Sequence, residues 1–171
     1  MNLVPVFHHP FSLILASPSN GGKSTLAFNI IKNSKQLVDN TNGNGFDAVF
    51  VLYKSYQPLY DRMKQELDIP VHLFEKTLPS EDVLEGPAKY PLILIDDGFC
   101  PENQALIVDL FCRLGHHLNL SVILICQTIF DGSNPALRIC HRNAKALIIF
   151  ACPRDQGTLR TLVHQEGRMV M

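Results

Sequence analysis

The chain has no excess of charge of either sign. Fifteen Lys and Arg stand against sixteen Asp and Glu, a formal net charge of −1. No global basic field is available to attract nucleic acid, so any such contact must come from local loops or from several copies arranged together. Cysteine is present at 100, 112, 126, 140 and 152, an odd number without CxxC spacing, in or beside apolar runs. That pattern excludes a disulfide framework and reads as reduced core residues of an intracellular protein. No apolar run approaches the roughly 18 residues of a membrane span, and Met1 to Pro10 has neither the basic start nor the apolar stretch of a secretion signal. Internal repeats and low-complexity tracts are lacking as well. The adjacent pairs His116-His117 and Cys140-His141 do not have the i, i+3 or i, i+4 spacing of helical zinc sites.

What is there is a hydrophobic content of 46% and a mean hydropathy of +0.08 over 171 residues, enough for one globular domain with a full core. Apolar runs at 11–16, 48–53, 71–74, 92–96, 122–127 and 146–150 predict strands. Helical stretches at 23–37, 57–67, 102–114, 135–142 and 155–164 alternate with them. Runs apolar on both sides imply a parallel sheet covered by helices, an α/β sandwich. Asn40 to Gly45 is expected to be a flexible loop and Pro79 to Pro87 an exposed acidic connection. Neither is long enough to divide the chain, so a single domain over 1–171, with its core at about 11–165, is expected.

The most informative segment is Ser17-Pro18-Ser19-Asn20-Gly21-Gly22-Lys23-Ser24-Thr25, which follows the first apolar strand and opens the first helix. This is the form of a phosphate-binding loop, with a nucleoside triphosphate as the expected ligand. Glycines let backbone N–H groups turn inward around phosphate oxygens, Lys23 supplies a mobile positive charge, and the Ser24 hydroxyl can ligate Mg²⁺. The following helix aims its positive end at the same place. An ordinary Gly-rich turn would leave the lysine at that spacing without a reason. Ser17 stands where the motif usually has Gly. If that position needs a positive φ, Ser costs about 1 kcal/mol there.

The strand at 92–96 ends in Asp96-Asp97, the form of the metal-side motif of such ATPases. Asp96 is expected to hold Mg²⁺ and Asp97 to act as the general base for water. In isolation the pair would equally suit a helix start. The strand at 122–127 runs out at Gln127. This residue would sense the γ-phosphate if its strand is inserted between the Ser17 and Asp96 strands, and would otherwise be a polar strand end bonded to backbone. An arginine from a neighbouring subunit commonly completes such sites, and the candidates are Arg138, Arg142, Arg113 and Arg154. Each also reads as a surface helix charge or a carboxylate partner.

From Leu110 the chain reads Leu-Phe-Cys-Arg-Leu-Gly-His-His-Leu-Asn-Leu-Ser-Val-Ile-Leu-Ile-Cys-Gln-Thr-Ile-Phe, followed by Arg138 to Asn143, Pro153-Arg154-Asp155 and Val163-His-Gln165. With the loop and the acid pair, this resembles the poxvirus-type DNA-packaging ATPases of the FtsK/HerA P-loop superfamily, most of all those of Polinton (Maverick) elements and adintoviruses. Tyr56-Gln57-Pro58-Leu59-Tyr60 is similar to the family's segment after its second strand. The resemblance spans about 11–165. It implies a three-layer α/β P-loop fold of the additional-strand, catalytic-acid type, with the Gln127 strand between those of Ser17 and Asp96. It also implies ATP hydrolysis with Mg²⁺, non-specific contact with double-stranded DNA, a ring of five or six identical subunits, and capsid portal or vertex proteins as partners at an intracellular site of virion assembly. Lys23 and Ser24 then serve phosphate and Mg²⁺, Asp96 the metal, Asp97 the water and Gln127 the γ-phosphate. Arg138 falls at the position of the family's downstream arginine. His116, His117 and Asn119 match too, with no role beyond positioning the sensor strand. Lys54, Arg62 and Lys64 are candidates for DNA phosphate contacts. The departures are Ser17, Gly98 after the acid pair, and an end soon after Gln165 where relatives continue.

Two other readings share the loop. A small-molecule or nucleoside kinase would need an Arg-rich lid, for which 131–143 offers too little length. A degenerate remnant would bind nucleotide without turnover. A GTPase is disfavoured because Asn143-Ala-Lys-Ala lacks the Asp that reads guanine.

Overall fold

The computed structural model describes residues 6–97, 99–128 and 134–150. The helix expected at 155–164, together with Cys152 and Arg154, lies outside them. In chain order the elements are β1 (Phe7–His8), β2 (Ser12–Ala16), α1 (Lys23–Lys32), α2 (Ser34–Leu37), β3 (Val38–Asp39), β4 (Ala48–Tyr53), α3 (Pro58–Glu66), β5 (Val71–Glu75), α4 (Glu81–Leu84), β6 (Pro91–Asp96), α5 (Pro101–Asp109), a π-helical turn (Leu110–Leu114), α6 (Gly115–His117), β7 (Ser121–Cys126), α7 (Pro135–Asn143) and β8 (Ala146–Ile149). No helix among the described residues is long and apolar enough to cross a membrane.

Six strands form one sheet in the order β5-β4-β6-β7-β2-β8, and every pairing in it is parallel. Alternate side chains of each strand enter two separate cores. Leu13, Leu15, Ile123 and Ile125 pack with Ala27, Phe28 and Ile31 of α1 and with Tyr60 and Met63 of α3. Ile14, Val122 and Leu124 face the other way, onto Ile107 of α5, the π-helical turn, and Leu137 and Cys140 of α7. Strands buried on both faces need the continuous apolar runs seen in the sequence. The chain leaves β2 for β4, moves out to β5, and returns through β6 and β7 before crossing β2 to reach β8. The carboxyl ends of β2, β7 and β6 therefore meet where the strand order reverses, the place at which open α/β sheets bind ligands.

Several expectations on element limits change. The first long helix ends at Lys32, where the Asn33 side chain bonds back to the Asn29 carbonyl over 2.8 Å, in competition with the helical ladder. The 40–45 segment is held by hydrogen bonds. Thr41 is buried, its Oγ1 donates to Val38 O and accepts from Gly45 N–H, and Asn42 Nδ2 donates to the Tyr90 hydroxyl. The 79–87 segment is not wholly exposed, because α4 forms within it and buries Leu84. A short parallel pair, β1 with β3, was not expected. Among the cysteines, Cys126 and Cys140 are core residues, but Cys112 is exposed and Cys100 half-buried.

Candidate functional site

The segment after β2 turns tightly to reach α1. Asn20 and Gly22 take left-handed conformations, with φ of 61° and 86°, which glycine adopts freely and Asn more readily than most residues. Ser17 is not among the positive-φ residues, so the strain conditional on its replacing Gly does not arise. The Ser17 side chain instead fills the space beside Gly21, where a Cβ would clash with Ser17 Oγ. Gly22 caps α1 without a side-chain bond, which leaves the first-turn N–H groups directed at the cleft. Lys23 is buried. Its ammonium donates to Ser17 O over 2.6 Å, Pro18 O over 2.9 Å and Ser17 Oγ over 3.3 Å. Burial lowers its pKa, and the nearby Asp97 carboxylate opposes that shift.

The acids come from the other side of β7. Asp96 closes β6 and is 2% exposed. Its desolvation raises its pKa, while hydrogen bonding with Ser24 and Tyr60 pulls it back. Asp97 is exposed and takes φ 53°, so the chain turns sharply at the residue expected to serve as base. A left-handed non-glycine residue costs about 1 kcal/mol, and such outliers concentrate at functional positions. Gln127 follows β7 and is exposed. Because β7 pairs with β2 on one side and β6 on the other, Gln127 lies between the phosphate loop and the acids, as expected.

These groups share one cleft of about 510 Å³, lined by Ser19 to Thr25, Asp96, Asp97 and Gln127 together with Gln57, Pro58 and Leu59. Ser24 and Asp96 offer oxygen donors only. One hydroxyl and one carboxylate suit Mg²⁺, which is usually held by one or two carboxylates plus substrate phosphates, so the residues present fit that ion. Two contributors escaped the sequence reading: Tyr60, whose hydroxyl donates to Asp96 Oδ2 over 3.0 Å, and Gln57, whose Nε2 donates to the same oxygen over 3.2 Å. In the sequence, Tyr56 to Tyr60 carries the family resemblance and no chemical role of its own. A polar pair in the first turn of an otherwise surface helix is the signal that could have found them.

Among the described residues, none of the candidate arginines lines this cleft. Arg138 and Arg142 are exposed on α7, which packs on the opposite face of the sheet from α1. Arg113 is engaged with Asp109 over 2.7 and 3.2 Å. Arg62 pairs with Glu66 over 3.0 Å and lies 5.3 Å from the Phe28 ring centroid, so it belongs to the seam between α1 and α3. His116 and His117 precede β7, at the end of the sheet away from the cleft.

No protein-family model matches the chain, and no curated protein matches it. Among solved structures it is similar to the genome packaging NTPase B204 of Sulfolobus turreted icosahedral virus 2 in complex with ATPγS. The two share 13% identity with a TM-score of 0.52, over 95% of this chain and 88% of that one. The AMPPCP complex of the same protein gives 14% identity and 0.49 over the same shares. The HORMA:CdnC:Trip13 complex of E. coli MS115-1 gives 17% and 0.45, over 94% of this chain and 51% of that one. At such identities the likeness concerns fold. The first of these, with the parallel six-stranded sheet and its flanking helices, gives the chain the α/β fold of P-loop NTPases.

Proposed function

We propose that the chain is an ATP hydrolase that moves double-stranded DNA into a capsid, a genome-packaging motor of the FtsK/HerA type related to those of Polinton elements. The observation that carries this reading is the arrangement of Lys23, Asp96, Asp97 and Gln127 around one cleft behind a phosphate-binding loop. The shared fold with a viral genome packaging NTPase supports it.

In this reading the triphosphate lies along Gly21 to Thr25, with its terminal phosphate toward Asp97 and Gln127. The Lys23 ammonium exchanges the Ser17 and Pro18 carbonyls for phosphate oxygens. Ser24 and Asp96 would hold Mg²⁺, which would neutralise charge building on the transferring phosphoryl group. The Gln127 amide orients a water, and Asp97 accepts its proton as the water oxygen bonds to the γ-phosphorus. The bond to the bridging oxygen breaks in line, giving ADP and inorganic phosphate. Arg138 from a neighbouring copy in a ring of five or six stabilises the same charge. Lys54 and Lys64, both exposed on the turn and helix that follow β4, press on DNA phosphates without reading sequence. Portal or vertex proteins of the capsid receive the ring at an intracellular assembly site.

The test is steady-state phosphate release by the purified chain with and without duplex DNA. The reading expects release in the absence of any acceptor, stimulation by DNA of any sequence, and loss of that stimulation as salt rises. Transfer of phosphate to a small acceptor in place of water would instead favour a kinase.

A further inference from the structure

A carboxylate taken out of water needs its lone pairs met by donors. At Asp96 two side chains meet the same oxygen, the Tyr60 hydroxyl and the Gln57 amide, both on Oδ2. Their positions follow from strand register. Tyr53 on β4 stands directly opposite Asp96 on β6, the chain leaves β4 at that point, and α3 begins at Pro58 with Gln57 as its cap. Gln57 is the extended residue just before the helix and Tyr60 lies in its first turn, so the returning chain brings both donors back over the acid.

The Tyr60 hydroxyl is not free to swing. Its ring is fully buried and lies 5.1 Å from that of Tyr53 and 5.6 Å from that of Tyr56, by centroids. The outer ring, Tyr56, is itself tied to Asp61 over 2.5 Å. A phenol has one proton to donate, and here Asp96 Oδ2 receives it.

We propose that Tyr60, assisted by Gln57, is a positioning residue that fixes the Asp96 carboxylate by its Oδ2, so that the acid presents the other oxygen alone to a hard divalent cation. This rests on the nucleotide-cleft reading and adds to it the residue that sets the geometry of the metal acid. Partners behind a metal ligand typically change metal affinity by roughly 10-fold to 100-fold when removed.

The test is equilibrium binding of ATPγS in MnCl₂ and in EDTA by the parent chain, Tyr60→Phe, Asp96→Asn and the double variant. Mn²⁺ tightens binding by the parent, and Tyr60→Phe loses roughly tenfold of that gain while binding in EDTA changes by less than about twofold. In the Asp96→Asn background, Tyr60→Phe has no further effect. Gln57→Ala, at the half-buried start of α3, shows a smaller loss of the same kind and keeps the question open to test if Tyr60→Phe folds poorly. An undiminished Mn²⁺ gain in both variants overturns the proposal, and so does an equal loss in MnCl₂ and EDTA, which would mark a packing role. If the parent binds ATPγS in neither condition, the nucleotide-cleft reading falls first and this inference with it.

Discussion

The two walls of the cleft are built by different means. The phosphate wall, Ser17 to Thr25, is a single contiguous stretch whose shape comes from its own backbone: left-handed turns at Asn20 and Gly22, a Gly21 N–H donating to Pro18 O over 3.2 Å, and the start of α1. The acid wall gathers Gln57, Asp96, Asp97 and Gln127, with Tyr60 behind Asp96, from the ends of β4, β6 and β7 and the first turn of α3. Its geometry depends on sheet order and register. A change in the first wall should act locally on phosphate affinity, whereas a change in the second should separate binding from chemistry.

Asp97→Asn should separate the two walls most sharply. Removing a general base costs about 10²-fold to 10⁴-fold in turnover, so hydrolysis should collapse while ATP affinity, measured by titration with a fluorescent nucleotide, stays within a few-fold. Lys23→Ala should do the reverse, weakening affinity by about 100-fold in the same titration. Gly21→Ala should weaken affinity by about tenfold, because the new methyl group overpacks against Ser17. Ser17→Gly in the same chain should restore most of the loss, which isothermal titration of the single and double variants would show.

The smallest effect concerns the far end of the acid wall's central strand. His9 is buried, with its Nδ1 2.8 Å from the Ser121 hydroxyl at the start of β7. Burial lowers its pKa below the usual 6.5, so the folded state prefers the neutral ring and the unfolded chain binds the proton more readily. This contribution to stability is therefore complete above pH 6.5 and declines as pH falls below it. Urea midpoints followed from pH 7.5 down to about pH 5.5 should fall less steeply in His9→Gln than in the parent.

Legibility divided along the same line as the two walls. The six sheet strands were readable because five are short runs apolar on both sides and the edge strand β5 still alternates apolar residues with His72, and their limits agree with the structure to about one residue (Ser12–Ala16, Ala48–Tyr53 and Ser121–Cys126, for example). The turn from β2 into α1 was readable because its residues are adjacent in the chain. The insertion of β7 between β2 and β6 was expected from the family resemblance and is seen in the sheet order. Tyr60 and Gln57 were not readable as partners of Asp96, because they stand 36 and 39 positions before it in the chain and come back to it only through the pairing of β4 with β6. The break at Asn33 is a single residue outside helical dihedrals, with φ −100° and ψ 20°, and the β1–β3 pair is too short for periodicity to register. The resemblance put Arg138 forward as a residue acting on a neighbour, and its place on α7, on the face away from α1, gives it no part in its own chain's cleft.

Hydrolysis in this cleft requires one triphosphate to span both walls, with its terminal phosphate at the acids. A crystal structure of the chain with ATPγS and Mg²⁺ would show whether it does. Lys23 Nζ should then be moved from the Ser17 carbonyl onto the terminal phosphate, with Asp97 and Gln127 both reaching a water in line with it. A nucleotide whose terminal phosphate points toward β8, with Lys23 still bound to Ser17, would contradict this arrangement.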